Sequence, residues 1–311
     1  MDFIRPSAIR TRVLRWAVSA GVVAALAIAG CAELAHKERE LIFRVVPGEA
    51  SWYAGLPDGV REIDIPVTDG QRIHAWWWAA EGDHAPAVLY FHGSRWNLTG
   101  QLVRLRQLHD FGFSVLAIDY REFGRSDGDV PSEASVYEDA RAAWRQFAEL
   151  VPDARQRFIY GHSLGGAVAV DLAAELDRAT IPGDPEPARG LIVESSFTTL
   201  VDVAKALSYA WLPVQWVIAQ KFDTLGKISD VKMPVLFVHG GADRLIPARF
   251  SQALYDAAHS PKRLLVVEGA THNNSMRVGS EEYRDALWAL FKLPDPRGQS
   301  PGPRVSEATR R

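Results

Sequence analysis

Between Arg157 and Ala174 the chain reads as a short apolar strand, a turn pinched by glycines, and a helix, with Ser163 at the tip of the turn. The spacing Gly161-x-Ser163-x-Gly165 suits a serine on a strained strand-to-helix turn. Side chains two residues to either side of that serine would collide with the neighbouring strand and helix. The hydroxyl then stands above the sheet, and the Leu164 N–H points into the same space at the positive end of the new helix. A serine hydroxyl becomes a nucleophile when a base takes its proton and a third group orients the base. The bases on offer are the nine histidines. His272 lies just past the last strand, in Glu268-Gly269-Ala270-Thr271-His272-Asn273-Asn274. Asp243 lies just past the preceding strand, in Gly240-Gly241-Ala242-Asp243. The chain order Ser163, Asp243, His272 is the one expected where a serine sits on such a turn. Glu194, which also ends a strand, is a rival acid, since triads are defined by geometry and not by position.

The elements that must bring these residues together follow from hydrophobic periodicity. Residues 61–65 and 71–79 alternate, with the turn Thr68-Asp69-Gly70 between them, and form a hairpin. Its tryptophans, Trp76 to Trp78, are expected to pack the sheet. The continuous apolar run 87–91 suits a buried parallel strand. A helix over 102–111, a strand over 114–120 and a helix over 136–150 precede the serine turn. Strand 190–194 follows it, and residues 197–232 then interrupt the alternation. Strand 233–240, helix 247–259, strand 263–268 and helix 280–291 restore it. Alternating strands and helices give a parallel sheet with right-handed crossovers, and the leading hairpin adds an antiparallel edge. Ligands in such sheets bind at the carboxyl ends of the strands, where all the marked residues fall. His162 is expected to pack, His92 and His239 to support loops, and Asp119 and Asp127 to hold the turn from Tyr120 to Gly128 by local hydrogen bonds.

Composition bounds the rest. The 311 residues are 47% hydrophobic and 23% charged, enough for one large domain with a real core. The net charge is −3, and residues 31–311 alone carry 31 basic against 37 acidic residues, or −6. That mildly acidic body argues against nucleic-acid binding. No cysteine pair or histidine cluster points to a metal, and no cofactor motif is present. The basic head Arg5, Arg10, Arg12 and Arg15 precedes an uncharged run from Trp16 to Gly30, the pattern of an export signal. Cys31, the sole cysteine, closes Ile28-Ala29-Gly30-Cys31. An uncleaved transmembrane anchor and conventional cleavage are the alternatives to a lipid attached at Cys31. The expected organisation is a signal over 1–30, a linker with a charged helix over 31–59, a catalytic body over 60–292 with a cap insertion at 197–232, and a disordered tail over 293–311.

Gly161-His162-Ser163-Leu164-Gly165-Gly166, His92-Gly93, Asp119-Tyr120-Arg121, Glu194-Ser195-Ser196-Phe197, His239-Gly240-x-x-Asp243 and His272-Asn273 together resemble the α/β-hydrolase fold family. The resemblance covers roughly residues 60–292, and within the family it is to membrane-associated serine hydrolases of the α/β-hydrolase-domain type. It implies an α/β fold with a mostly parallel central sheet, an antiparallel N-terminal edge, helices on both faces and a small helical cap. It implies Ser163 as nucleophile, His272 as general base and Asp243 as orienter. It also implies that the loop after His92-Gly93 supplies a second oxyanion donor, the N–H of Ser94, beside that of Leu164. Many relatives carry Asn or Gly where this chain has Ser94-Arg95, so the Arg95 N–H is the alternative. Similarly, Ile28-Ala29-Gly30-Cys31 resembles the lipobox of bacterial lipoproteins, which implies a diacylated Cys31 and an envelope protein facing the periplasm. Ala32 after the cysteine favours the outer membrane. The apolar cap and a membrane anchor point to a small acyl ester or thioester as substrate; Leu207, Trp211, Leu212, Trp216, Val217 and Phe222 either form an acyl-binding wall or dock the cap on the body. Arg95 would meet an anionic head group. A serine peptidase and a non-catalytic, ligand-binding envelope lipoprotein are the alternatives.

Overall fold

Eight strands form one sheet in the order β1-β2-β4-β3-β5-β6-β7-β8 in a computed structural model. The structure describes residues 29–82, 84–178, 187–209, 211, 214–259 and 261–293. Most of the expected signal segment (1–28), Leu212 and the tail from 294 on therefore lie outside the described residues.

The leading hairpin is present as β1 (Val60–Pro66) and β2 (Arg72–Trp78), paired antiparallel with Ile63 opposite Ala75. Its turn uses Asp69 and Gly70 at φ +57 and +71, the left-handed region that Asp and Gly tolerate best. Both faces of β2 are covered. Ile73, Ala75 and Trp77 join the core on one side of the sheet, and Trp76 joins the core on the other. The tryptophan run is therefore sheet packing.

β2 pairs antiparallel with β4 (Ser114–Ile118), and every later pairing is parallel. The strands β3 (Ala87–Phe91), β5 (Arg157–His162), β6 (Gly190–Glu194) and β7 (Val235–Gly240) are buried along their whole length. That is the burial their continuous apolar runs require, because helices cover both faces. β8 (Lys262–Val267) closes one edge.

One face carries α3 (Glu133–Leu150), α4 (Leu164–Asp177) and α8 (Arg249–Ala257), with Trp144, Val168 and Leu254 in its core. The other carries α2 (Leu98–Asp110) and α9 (Ser280–Phe291), with Leu105, Tyr283 and Leu287. Ser132 caps α3 in a reciprocal box with Ser135.

The insertion over 197–232 is helical, as its composition suggested: α5 (Leu200–Ala204), a π-turn over Lys205–Tyr209, α6 (Val214–Val217) and α7 (Thr224–Ile228). Its seat on the body is polar as well as apolar. Lys227 pairs with the buried Asp171 of α4 at 2.7 Å and lies 4.1 Å from the Tyr137 ring centre. Phe222 is fully buried against Phe43 and Tyr137, so it docks the cap and is closed to a ligand. Leu207 and Trp211 are exposed, Trp211 by 79%. The side chains of Trp216 and Val217 are outside the described set.

The segment expected as linker is built into the body. Residues 29–43 form a helix, α1, that runs through the 30/31 boundary, and Cys31 is an exposed, unpaired thiol within it. Among the described residues no helix is long and apolar enough to cross a membrane, and no group of three His, Cys, Asp or Glu side chains could hold a metal ion.

Candidate active site

Ser163 occupies the turn between β5 and α4 with φ +55 and ψ −119. A non-glycine residue there is strained by about 1–3 kcal/mol, and the surroundings must hold it. Three backbone ties do so. Ser163 N–H donates to Glu194 O at 2.9 Å, while Gly166 N–H and Ser196 Oγ–H both donate to Ser163 O at 2.9 Å. The glycines are steric necessities. A Cβ on Gly161 would overlap the Gly165 carbonyl, and one on Gly165 would overlap the carbonyls of Phe91 and His92. Close approach of α4 to β5 and β3 is what sets the turn's shape.

His272 lies in the loop after β8 and Asp243 in the loop after β7. Their side chains meet, with His272 Nδ1 to Asp243 Oδ2 at 2.7 Å. The other carboxylate oxygen, Oδ1, accepts the N–H groups of Leu245 and Ile246, both at 2.9 Å. Burial alone would raise the Asp243 pKa. Hydrogen bonds from His239 and His272, the charge of His272 and the Ile246 N–H outweigh it and hold the carboxyl well below the usual range. His239 itself is fixed by Ser251 and by the Ile246 carbonyl, which makes it a loop support.

Ser163 Oγ makes no hydrogen bond among the described residues, and neither does His272 Nε2. Such contacts commonly tighten only when substrate is bound. The two residues are linked through His162, whose Nε2 lies 2.9 Å from the His272 carbonyl, with ring centres 5.0 Å apart. His162 is therefore more than packing.

Burial first, then the charges of Arg104 and His272, push the His162 pKa well below the ordinary imidazole range. The sign of the consequence is fixed. An unfolded imidazole takes a proton near pH ~6.5, and the folded His162 does not. Below about pH 6.5 the unfolded chain binds more protons, so stability falls as pH falls. Urea unfolding of His162→Gln is expected to show a shallower loss of stability between about pH 6.5 and 5. An unchanged slope would assign the loss to other groups.

Glu194 is not the partner of His272. Its carboxylate accepts from Tyr160, Tyr283 and Arg104, all buried. The same Arg104 Nη2 also donates to the Asn273 carbonyl at 3.1 Å. This cluster thus steadies the His272 loop from behind, while the Glu194 carbonyl steadies Ser163. Nothing in the local pattern of α2 marked Arg104 for that role. An arginine on the buried side of an amphipathic helix is the one available hint. Asn274 supports the same loop, its side chain accepting the Thr271 N–H at 2.6 Å.

The oxyanion loop follows β3. A Cβ on Gly93 would lie 3.1 Å from the Ser163 Cβ, which shows how closely this loop approaches the serine. The Arg95 N–H donates to the Phe43 carbonyl at 2.7 Å and is not free for a ligand. Among the described residues the Ser94 N–H has no acceptor. The Arg95 guanidinium lies 5.5 Å from the Trp96 ring centre. Asp119 holds the turn that follows it through its carbonyl, which accepts the Ser126 Oγ–H at 2.8 Å, while its side chain serves elsewhere. It is buried between His74 and His92, and its Oδ1 accepts the Leu98 N–H at 2.8 Å, so it holds the start of α2. Burial would raise its pKa, but the neighbouring His74 and His92 imidazoles lower it. Asp127 accepts the Arg72 N–H at 3.0 Å, tying the turn to β2.

A mostly parallel sheet with helices on both faces, a serine on a strained strand-to-helix turn and a paired acid and histidine on later loops define the architecture of the α/β hydrolases. The chain belongs to the α/β-hydrolase family and is a hydrolase of that family. A family model described as serine aminopeptidase, S33 matches residues 82–224. The Mycobacterium tuberculosis protein Rv2307c is 33% identical over 254 residues, 81% of this chain and 86% of that protein. The α/β-hydrolase domain-containing protein WAV2 of Arabidopsis thaliana is 27% identical, covering 83% and 88%. The lysophosphatidylserine lipase ABHD12 of Danio rerio is 30% identical over 194 residues, 58% of this chain and 49% of that protein. In fold, the chain is similar to the Pyrococcus furiosus esterase Pf2001, with a TM-score of 0.60 at 18% identity over 80% of this chain and 97% of that one.

Proposed function

We propose that this protein is a serine hydrolase that cleaves carboxylic ester or thioester bonds of acyl, lipid-like substrates through an acyl-enzyme. The observation that carries the reading is the His272–Asp243 hydrogen bond of 2.7 Å, in loops that meet the turn bearing Ser163. In this mechanism Ser163 Oγ attacks the acyl carbon while His272 Nε2 takes its proton. The N–H groups of Leu164 and Ser94 receive the charge that forms on the carbonyl oxygen, each worth about 3 kcal/mol. His272 then hands the proton to the departing alcohol or thiol. Water, deprotonated by the same imidazole, attacks the acyl-serine and releases the acid.

Two further observations favour a lipid-like substrate. The Danio rerio relative is a lipase by its name, and the cap exposes Leu207 and Trp211. The basic head and uncharged run of residues 1–30 support export, with a lipid on Cys31 holding the domain at the cell-envelope membrane, the outer membrane by preference. The alternative tether is a single N-terminal transmembrane anchor.

Peptidase activity is the second reading, favoured by the description of the matching family model. The full-length protein, assayed against p-nitrophenyl esters of graded acyl length and against aminoacyl anilides, is expected to hydrolyse the esters. Turnover confined to the anilides would replace the ester reading with the peptidase one.

A further inference from the structure

We propose that the segment from 43 to 46, outside the catalytic body by sequence, positions the oxyanion loop: the backbones of Phe43 and Val46 hold Arg95 so that the neighbouring Ser94 N–H is left facing the serine. This inference rests on the serine-hydrolase reading and deepens it.

Arg95 has φ +88, a left-handed conformation that costs a side-chain-bearing residue energy and persists only when neighbours impose it. Two hydrogen bonds impose it here. Arg95 N–H donates to the Phe43 carbonyl at 2.7 Å, and Val46 N–H donates to the Arg95 carbonyl at 3.1 Å. Both ends of the strained residue are thus gripped by one short piece of chain. The Phe43 carbonyl suits this use, because the last carbonyls of a helix have no partner within it. At the end of α1, Arg44 turns at φ +51, and the chain then passes Arg95 at Val46.

The grip is anchored. The Phe43 ring is fully buried and meets the Phe222 ring of the cap at 6.2 Å. Nearer the start of α1, the Glu38 carboxylate accepts the N–H groups of Ala219 and Gln220 in the cap at 2.8 and 2.9 Å. One helix therefore contacts both the cap and the loop bearing Arg95. Rotation of the strained 94–95 peptides, once released, would aim the Arg95 N–H or neither N–H at the reacting oxygen.

The test separates backbone from side chain in the full-length protein. Val46→Pro removes the N–H that grips Arg95, whereas Val46→Ala trims the side chain and keeps that N–H. With p-nitrophenyl butyrate, Val46→Pro is expected to lower kcat at least tenfold with KM within about twofold. The inhibition constant of butylboronic acid, whose tetrahedral adduct places an oxygen in the hole, is expected to rise by a similar factor. Val46→Ala is expected to retain most of both. Should Val46→Pro fail to fold, Phe43→Leu, which keeps an apolar side chain but loosens the anchor, is read on the same two measurements with at least a threefold loss expected. A lowered melting temperature with unchanged kcat and boronate affinity would overturn the proposal. Absence of fluorophosphonate labelling at Ser163 in the unmutated protein would instead overturn the hydrolase reading and take this inference with it.

Discussion

Ser163→Ala is expected to lower kcat by about 10⁶-fold with KM little changed, because covalent catalysis is lost while the rest of the site is retained. The physical case is narrow enough to fail. The hydroxyl makes no hydrogen bond among the described residues, so its removal deletes a reactive atom and no structural contact. Alanine must still adopt φ +55, and the backbone ties to Glu194, Gly166 and Ser196 remain to hold it there. Thermal unfolding should therefore move little, and fluorophosphonate labelling should vanish. A purified variant within tenfold of the parent rate would mean that another residue is the nucleophile.

Asp243→Asn is expected to cost about 10⁴-fold in kcat, and the reason is a tautomer. In the parent, one carboxylate oxygen accepts two backbone N–H groups and the other accepts from His272 Nδ1. Asparagine can keep only one oxygen, and the Leu245 and Ile246 N–H groups claim it. Its amide NH₂ then faces His272 Nδ1 and makes that nitrogen the acceptor. The imidazole proton moves to Nε2, where the serine's proton has to go. Folding should be nearly intact, since the loop's own hydrogen bonds survive. Glu194→Gln supplies the contrast, being buried and making no hydrogen bond to the imidazole, and should lower stability more than it lowers kcat. If Asp243→Asn kept near-parent turnover while Glu194→Gln lost it, the acid would have to be reassigned.

Much of this molecule is written locally. The period-2 hairpin, the continuous apolar strands and the glycines at 161 and 165 each state their structure within a few residues, because sterics and amphipathicity act over that range. So the sheet, its antiparallel edge and the turn bearing Ser163 are all legible in the linear chain. The loop supports are not. Arg104 reaches a carbonyl 169 positions away, and His162 reaches one 110 positions away. Asp119, which local pattern assigned to its own turn, ties that turn with its carbonyl alone; its carboxylate accepts the Leu98 N–H of α2 and lies between two histidines.

What the sequence by itself determined is the succession of strands and helices along the chain, the strained serine, and the short set of acids and N–H groups that could serve it. The tertiary structure alone decided among them: Asp243 over Glu194 beside His272, Ser94 over Arg95 as the free N–H, and the end of α1, with its buried Phe43, as part of the body. The reason is that these choices depend on which loops lie side by side at the carboxyl edge of the sheet. That adjacency comes from strand order, which no stretch of neighbouring residues encodes.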